Sequence, residues 1–207
     1  MAPEDSKAIF LHYPWTASIL NRQNIVCRIP GSRLPKASNE DSLFAETLKT
    51  SGTLRSCITI YKRAKPEDAQ IDEVSTLVMM GSGMDGHPGI LHGGIVASLL
   101  DEAMGILQVV NHERDHMISV GKGFAEGELP PHGIGSFTAE LKIRYLRPVH
   151  TPGPLIVTAR YVDRAPRKDW IFAEIKQRSC QGEDDEGEEI LCAIGEGLFI
   201  EPKASRL

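Results

Sequence analysis

The most unusual feature of the sequence is an almost uninterrupted run of apolar residues from Ile95 to Val110. A helix on the surface of a globular protein carries a polar face opposite its apolar stripe. Here the polar interruptions are few, and they are Ser98, Asp101, Glu102 and Gln108. The pattern therefore predicts a helix that is buried on nearly all sides.

Runs of strand-forming residues lie on both sides of this helix. Two precede it, at 53–63 and 75–81, and more follow it, at 137–148, 154–163, 168–180 and 188–200. In the strand at 137–148, alternation predicts one face with Phe137, Ala139, Leu141, Ile143 and Tyr145, and the other with Thr138, Glu140, Lys142 and Arg144. One long helix against successive antiparallel strands is an α+β arrangement, and a sheet wrapped around the helix would keep it dry.

The remaining segments frame this predicted core. Residues 1–51 have mixed polarity and scattered prolines, which predicts an N-terminal extension packed on a domain formed by residues 52–207. Within the extension, the apolar spacing at 40–50 favours a short helix. The polar segment 111–136, rich in glycine and histidine, is predicted to connect the helix to the next strand. The acidic tract at 182–189 is predicted to be a solvated hairpin tip.

The composition excludes several classes of function. The formal net charge is -5 and the basic residues are scattered, which argues against nucleic-acid binding. No run approaches the roughly 18 apolar residues of a membrane span, and the N-terminus carries early acids, unlike a signal peptide. The cysteines at 27, 57, 180 and 192 are far apart and form no metal-ligand motif. We therefore expect a cytoplasmic protein with reduced thiols and no metal.

Asp101 is the first candidate for chemistry, because a carboxylate in the middle of an apolar helix is costly to bury. Such a cost implies a partner or a function. An apolar setting also raises the pKa of a carboxyl toward values that suit a general base. The structural alternative is that Asp101 lies on a wet edge beside Glu102, or pairs with an arginine of a strand.

A second candidate is the sequence His92-Gly93-Gly94 at the start of the helix. Two glycines allow the backbone to approach a ligand closely, and the first N–H groups of a helix have no partner within it. Such N–H groups can polarise a carbonyl and stabilise the oxyanion that forms on attack. A glycine-rich turn into a helix is also a common structural feature by itself.

The spacing between the two candidates has a consequence for assembly. His92 and Asp101 are nine residues apart, which on a helix is about 180° of rotation and roughly 13 Å of rise. They cannot both touch one reacting carbonyl within a single chain. If both act on the substrate, the helix start of one subunit must meet Asp101 of another, so a catalytic function requires at least a dimer.

Together, the segment GHPGILHGGIVASLLDEAMG and the strand FTAELKIRYLRPV resemble the PaaI-like branch of hotdog-fold acyl-CoA thioesterases. The similarity is to the subgroup with the motif G-x-P-G-x-x-H-G-G and an Asp nine residues after the His, and it covers residues 52–201. The resemblance implies a hotdog fold, with an antiparallel sheet around a central helix, and a homodimer or tetramer. It also implies hydrolysis of an acyl thioester without a metal or redox cofactor, with coenzyme A present only as part of the substrate.

The resemblance also implies roles for individual residues. Asp101 matches the catalytic carboxylate, acting as general base toward water or as nucleophile. Gly93, with His92 and Gly94, matches the helix start that binds the thioester carbonyl from the partner subunit. Thr138 matches the hydroxyl that orients the attacking water; without the resemblance it would be an ordinary strand threonine.

The sequence departs from the family pattern in two places. Where many members carry an Asn six residues before the motif histidine, this chain has Gly86, followed by His87. Carbonyl activation would then depend on backbone N–H groups, with His87 as a candidate helper. The segment 111–136 is longer than usual and could line or cover the acyl pocket; its histidines at 112, 116 and 132 match no metal motif.

Coenzyme A would need cations for its phosphates. In the family, the pantetheine arm and phosphates run along strand edges and the following loops, and arginine side chains suit phosphate oxygens. The available cations are Arg144, Arg147, Arg164, Arg167 and Lys168. Each could equally be a solvated surface charge.

Three functions therefore remain open from the sequence. The first is hydrolysis of an acyl-CoA or acyl-carrier thioester. The second is a hotdog protein that binds acyl-CoA or regulates without catalysis, which the missing Asn favours. The third is a hotdog dehydratase, whose members use a His and acid pair in a different motif. Acyl chain length and the order of assembly are not encoded in any motif of the chain.

Overall fold

A computed structural model of the chain describes residues 3–65, 68, 70–127, 135–178 and 187–202. Its strands are β1 Ile25–Arg28, β2 Leu54–Lys62, β3 Glu73–Met80, β4 Asp85–His87, β5 Ile90–Leu91, β6 Phe137–Tyr145, β7 Gly153–Ala165, β8 Lys168–Arg178 and β9 Glu189–Ile200. Its helices are α1 Pro3–Leu11, α2 Pro14–Leu20 and α3 Gly93–Gly121. Within these residues, one antiparallel sheet has the order β1-β2-β3-β7-β8-β9-β6, and β4 and β5 form a separate hairpin.

The long helix α3 forms the centre of the core, which confirms the predicted α+β hotdog arrangement. Leu99, Leu100, Met104 and Leu107 are at most 2% exposed, and they share one cluster with side chains of β3, β7, β8 and β9. By length and composition α3 could also cross a membrane, but 50% of its most apolar window is buried inside the fold. We therefore describe α3 as the core helix of the domain.

α3 is longer than the apolar run, because it continues to Gly121 through residues assigned from the sequence to the polar segment 111–136. Asn111 is 3% exposed, and its side-chain amide makes hydrogen bonds of 2.8 and 2.9 Å with the backbone of Ile71. A buried polar side chain is tolerated where its hydrogen bonds are made. The segment therefore begins as helix, while residues 128–134, with His132, lie outside the described residues.

The expectation that the helix is buried on nearly all sides is wrong for one stripe of it. Ala97, Asp101, Gly105 and Val109 are half-buried, and their spacing of four residues puts them on one face of α3. The curled sheet covers the helix elsewhere. In a single chain, α3 therefore has a narrow open face that includes Asp101.

The beginning of β6 departs from strict alternation. A β-bulge lies between Thr138 and Glu140, and Thr138 pairs directly with Phe199 of β9. Paired residues of neighbouring strands share a face of the sheet, and Phe199 is in the core at 4% exposure. Thr138 therefore faces α3 on the same side as Leu141, whereas Phe137 faces outward. This corrects the predicted faces, because the extra residue of a bulge reverses the alternation.

The N-terminal extension takes part in the sheet. Residues 25–28 form β1, which pairs with β2 along the edge of the sheet. α1 and α2 pack on the sheet face opposite α3, in a second core cluster that contains Phe10 and Trp15. The short helix predicted at 40–50 is a single π-helical turn at Leu43–Thr47. The domain boundary between residues 51 and 52 stays a prediction.

The cysteines that the structure describes are free thiols. Cys57 and Cys192 are buried and Cys27 is half-buried. Burial raises the pKa of each of the three thiols, so these side chains are poor nucleophiles at neutral pH. Cys180 lies outside the described residues.

Glycines in β9 allow α3 to approach the sheet closely. A Cβ at Gly197 would lie 2.5 Å from the Met104 sulfur and 2.9 Å from the Phe199 ring. At Gly195 a Cβ would lie 3.1 Å from the Met104 methyl group. The position of the helix over the sheet thus depends on the missing side chain at 197.

We expect the substitution Gly197→Ala to lower the free energy of unfolding by about 1–3 kcal/mol, because overpacking forces Met104 out of its position. Urea denaturation followed by tryptophan fluorescence measures the change. The matched control is Gly121→Ala at the end of α3, where a Cβ meets nothing within 4 Å and the helix should gain up to about 1 kcal/mol. A Gly197→Ala variant as stable as the parent would contradict the close approach.

Candidate active site

Asp101 and Thr138 meet at the open face of α3. The Thr138 hydroxyl donates a hydrogen bond of 2.9 Å to Asp101 Oδ1, a contact that the bulge in β6 allows by turning Thr138 toward the helix. Asp101 is half-buried and Thr138 is exposed, so a ligand can reach both. A carboxylate has a second oxygen and a hydroxyl has acceptor capacity, so the pair can hold a water molecule between them.

The start of α3 is held in a defined geometry by His92. Its Nδ1 accepts a hydrogen bond of 3.0 Å from the Gly94 N–H, so the ring is assigned as neutral with its proton on Nε2. The N–H groups of Ile95 and Val96 donate to the His92 carbonyl at 2.9 and 3.1 Å. In the described part of the chain, the Gly93 N–H is the one left without an acceptor at this helix start. It is therefore the donor best suited to an oxyanion.

Tyr145 joins the helix start to the end of β6, and the sequence analysis did not identify this role. The Tyr145 hydroxyl donates a hydrogen bond of 3.0 Å to the Gly93 carbonyl. Alternation placed Tyr145 among the apolar residues of the strand, and its partner lies 52 positions away in sequence. No local pattern could have revealed a contact over that distance.

Within one chain, the two halves of the predicted site lie apart. Gly93 and Asp101 lie eight positions apart in α3, which is about 12 Å along the helix axis. β6 repeats this separation, because Thr138 lies near its beginning and Tyr145 is its last residue. Each chain thus has a carboxylate and hydroxyl pair at one end of β6 and an available helix N–H at the other.

The candidate phosphate-binding cations lie near the same two ends of β6. Arg144 and Arg147 are exposed near the end of β6 that carries Tyr145. Arg167 and Lys168 lie at the turn between β7 and β8, and Lys168 is in register with the β9 residue that pairs with Phe137. That turn therefore lies at the same end of the sheet as the beginning of β6, with β9 between them. The structure does not bring the two groups together within one chain.

Arg164 is already engaged in the fold. Its Nε donates to Asp169 at 2.9 Å and its Nη1 to Gln70 at 2.8 Å, and its guanidinium lies 4.3 Å from the centre of the Tyr161 ring. These contacts hold the β7–β8 hairpin against its neighbours. Arg164 is thus a weaker candidate for phosphate than Arg167 and Lys168.

The hairpin of β4 and β5 lies beside the helix start. His87 is exposed there. A Cβ at Gly86 would lie 3.1 Å from His92 Cα and 3.2 Å from its ring, so a larger residue would press on His92. An Asn at this position, where the resemblance implies one, would therefore require His92 to shift by a few tenths of an ångström.

The other histidines that the structure describes belong to no cluster of metal-binding side chains. His116 Nε2 lies 3.2 Å from the Gly127 carbonyl, and His112 lies beside the cavity described next. Among the residues with described positions, no group of three or more His, Cys, Asp or Glu side chains could hold a metal ion.

A cavity of about 500 Å³ opens beside Asp101 and Thr138. Its floor is the open face of α3, including Gly105. One wall contains Thr138 and Phe199, from β6 and β9. The other wall is formed by residues between positions 28 and 41, which we call the N-terminal wall. Most of the sheet encloses the helix, and this cavity occupies the gap between its two ends.

A buried ion pair fixes the N-terminal wall to α3. Arg33 Nη1 donates to Glu102 Oε1 at 2.7 Å, and the two side chains are 4% and 15% exposed. The guanidinium also lies 4.4 Å from the centre of the Phe44 ring. Burial raises the pKa of the Glu102 carboxyl, and Arg33 opposes that rise. The sequence analysis noted Glu102 only as a neighbour of Asp101, because nothing local marks its partner.

Comparison with known proteins agrees with the sequence motif. Residues 88–165 match the family model of the Thioesterase superfamily, which confirms the predicted resemblance to thioesterases. A curated relative, verlamelin biosynthesis protein B of Lecanicillium sp, is 31% identical over 136 residues, which are 58% of this chain and 58% of the relative. The chain thus spans a little over half the length of that relative.

Solved structures also match. One is the conserved protein PA5202 from Pseudomonas aeruginosa, with 25% identity, a TM-score of 0.43 and coverage of 63% of this chain and 81% of that chain. Another is the PaaI protein from E. coli, with 16% identity, a TM-score of 0.45 and coverage of 64% and 74%. The N-terminal wall lies outside the 88–165 match.

We expect Arg33→Met to lower the free energy of unfolding by about 3–5 kcal/mol at neutral pH, because it leaves Glu102 buried without its counterion. The folded-state pKa of Glu102 is raised, and loss of Arg33 raises it further. A group with a raised folded-state pKa stabilises the fold when protonated, so the loss should shrink as the pH falls toward the ordinary range of a carboxyl.

The matched control for this prediction is the double variant Arg33→Met with Glu102→Gln. It should recover most of the stability at neutral pH, and it should lose the pH dependence. Urea denaturation at several pH values measures both effects. Equal instability of the single and double variants at every pH would mean that the ion pair does not hold the N-terminal wall.

Proposed function

We propose that the protein is an acyl-CoA thioesterase with two composite active sites in a homodimer, and the starting point is the match of residues 88–165 to the family model of the Thioesterase superfamily. The observation that carries the proposal is the hydrogen bond between Thr138 and Asp101 at the edge of an open cavity. It joins the two residues for which the family resemblance implies catalytic roles, although they lie 37 positions apart.

In the proposed reaction, Asp101 acts as general base. A water molecule donates one hydrogen bond to the free Asp101 oxygen and one to the Thr138 hydroxyl oxygen, which directs its lone pair toward the thioester carbonyl carbon. As the water oxygen bonds to that carbon, its proton passes to Asp101. The C–S bond then breaks, the proton passes from Asp101 to the departing thiolate, and the free acid and thiol are released.

The negative charge on the carbonyl oxygen needs a donor, and the Gly93 N–H of a second copy is the proposed one. It lies at a helix start, where the backbone N–H groups point at the ligand and the helix dipole favours an anion. The Nε2–H of neutral His92 adds a second donor on the same turn. This replaces the Asn that the resemblance implies at position 86.

The edge strand β6 suggests how the two halves meet. Its outer edge has no strand partner in the described part of the chain. The first and last residues of the strand, Phe137 and Tyr145, are 65% and 57% exposed. Such an edge is a template for pairing with another chain. Antiparallel self-pairing with a two-fold axis at the middle residue, Leu141, would continue the sheet through both copies.

In that arrangement the bulge in β6 shifts which residues of the two copies lie opposite each other. Because the bulge adds one residue, Thr138 opposes Ile143 of the second copy. Thr138 then lies diagonal to Tyr145 of that copy, on the same face of the sheet. Diagonal cross-strand neighbours are about 7–8 Å apart. Because Tyr145 is hydrogen-bonded to Gly93, the helix start of the second copy would come beside the Asp101–Thr138 pair of the first.

The same pairing would also unite the cations. Arg144 and Arg147 of one copy would approach Arg167 and Lys168 of the other, at the beginning of β6. Four cations from two chains would then surround one site mouth, where the phosphates of coenzyme A could bind. His87, beside the helix start, would lie at the same mouth.

We expect Asp101→Asn to lower kcat by about 10²- to 10⁴-fold, the range for loss of a general base, while the fold is retained. The measurement is release of free thiol from a panel of acyl-CoA substrates. The matched control is Asp115→Asn on the same helix, whose side chain is 65% exposed, and it should retain parental activity.

Three outcomes would contradict this assignment. Retention of parental turnover by Asp101→Asn would exclude Asp101 as the base. Tight binding of acyl-CoA by the parent without any hydrolysis would favour a non-catalytic acyl-binding protein, which the glycine at position 86 makes the second candidate. Hydration of an enoyl thioester would indicate a dehydratase.

The composite site can be tested with Gly93→Pro, which removes the proposed oxyanion donor. Proline suits the first position of a helix, and His92 has the extended conformation that a residue before proline requires, with φ -59 and ψ 135. We expect kcat to fall by about 10²- to 10³-fold, as for loss of one oxyanion donor. Circular dichroism should be unchanged.

Mixing then distinguishes one chain from two. In heterodimers of Asp101→Asn and Gly93→Pro subunits, one of the two composite sites has both groups intact, so co-expression should restore about one quarter of the parental activity. If both groups act within one chain, every site in the mixture lacks one of them, and no activity returns. Differently tagged subunits purified in sequence isolate the heterodimer for this assay.

A further inference from the structure

The cavity beside Asp101 extends beyond the residues that carry the reaction. It lies along the open face of α3, from Asp101 to His112. These two residues are eleven positions apart, which is about 16 Å of helix. A water molecule and a thioester carbonyl occupy only the first turn of this length, so the rest of the cavity has no role in the reaction steps described above.

Glycines keep the cavity open from both sides. Gly105 lies one turn after Asp101 on the floor of the cavity, and Gly31 lies in the N-terminal wall. A Cβ built on either glycine meets nothing within 4 Å. Both positions border the cavity and have room for a larger side chain, so we expect a leucine at either one to take space from the cavity.

The floor of the cavity has apolar side chains in its middle, and its far end is charged. Ile106, Val109 and Phe199 are among the lining residues, and such side chains suit a hydrocarbon chain. Several polar side chains of the lining are engaged by others: Lys36 pairs with Glu40 and Asp41, and Gln108 donates to Ser136 and Asp169. At the far end, Arg28 Nη2 pairs with Glu113 Oε2 at 2.5 Å. An alkyl chain that passed this point would remove the ion pair from water without replacing its hydrogen bonds, which is costly. The ion pair therefore sets an end to the apolar part.

The N-terminal wall is fixed rather than loosely packed. The Arg33–Glu102 pair attaches it to α3 directly beside Asp101, and the Arg28–Glu113 pair attaches it three turns further along the helix. Two ion pairs on one helix hold the wall at a set distance from the floor. Its spacing from α3 can therefore select among acyl groups by size.

We infer that this cavity is the acyl-binding channel and that the N-terminal wall makes the enzyme selective for unbranched medium-chain acyl groups. The inference rests on the proposed thioesterase function. The reacting groups occupy the first turn, so about 11 Å of helix remains for the acyl chain. Carbon–carbon bonds of about 1.5 Å advance an extended chain by roughly 1.25 Å per carbon, so this length accommodates about eight carbons. The octanoyl group is the acyl group expected to fill the channel.

The test uses Gly105→Leu and Gly31→Leu, which narrow the channel independently from the floor and from the wall. The control is Gly121→Leu on the same helix, where a Cβ also meets nothing within 4 Å but no cavity is lined. We measure kcat/KM for acetyl-, butyryl-, octanoyl-, dodecanoyl- and hexadecanoyl-CoA, together with the mass of the assembly by light scattering.

For the parent and the control, kcat/KM should be highest for octanoyl-CoA. Both channel variants should lower kcat/KM for octanoyl-CoA by at least about 10-fold relative to butyryl-CoA, because a few blocked methylene positions in a hydrophobic pocket cost that much or more. The preferred chain should shift to butyryl. The assembly mass should not change.

Failure of the inference and failure of the proposed function give different results. If the parent hydrolyses acyl-CoA but neither variant changes the chain-length preference, the channel is wrong and the thioesterase function stands. The channel is also wrong if the variants only dissociate the assembly, since the face would then be an interface between copies. If the parent hydrolyses no thioester, binding of an octanoyl-CoA thioether analogue by calorimetry decides: binding lost in both variants supports the channel, and unchanged binding overturns it.

Discussion

The rest of the structure depends on one requirement: the apolar helix α3 must be covered by a sheet that packs closely against it. β9 approaches the helix so closely that Gly197 has no space for a Cβ beside Met104. A single curled sheet nevertheless leaves one stripe of the helix half-buried, and Asp101 and Gly105 lie on that stripe. A carboxylate there avoids the cost of complete burial and still borders an apolar cavity. The place where the sheet ends is thus also the place where chemistry is possible.

A rigid helix also fixes the relation between the two proposed catalytic elements. Gly93 and Asp101 cannot approach each other, because about 12 Å of hydrogen-bonded helix separates them. The links to β6 carry the same separation onto the edge of the sheet, through Tyr145 at one end and Thr138 at the other. The proposed antiparallel pairing of two such edges would reverse the order of the ends. It would therefore convert a separation within one chain into a proximity between two chains.

The sequence predicted the features that depend on local periodicity, and it missed those that depend on distant contacts. The apolar run predicted α3, and alternation predicted β2, β3 and the strands after the helix. Alternation alone placed Thr138 on the wrong face, because a bulge follows from pairing with β9 and leaves no local signal. The strand β1 and the Arg33–Glu102 pair were likewise missed, since their partners lie far along the chain. Asp101 was found because a carboxylate in an apolar helix is costly to bury. The glycines at the helix start were found because they allow a ligand to approach the backbone closely. Both signals lie within one segment of the sequence.

Asp101 and Glu102 are adjacent carboxylates, and their different surroundings explain why only Asp101 is a candidate to act on a substrate. Neighbouring residues of a helix point about 100° apart, so the two acids face different surroundings. Glu102 faces the N-terminal wall, where it pairs with the Arg33 guanidinium and is 15% exposed. Asp101 faces the cavity and is bonded only to a neutral hydroxyl among the described contacts. A carboxylate held in a buried ion pair is not positioned to bind a reacting water, whereas a half-buried carboxylate at the edge of a cavity is. The ion pair thus attaches the N-terminal wall to α3, and it leaves Asp101 as the carboxylate for the proposed role of general base.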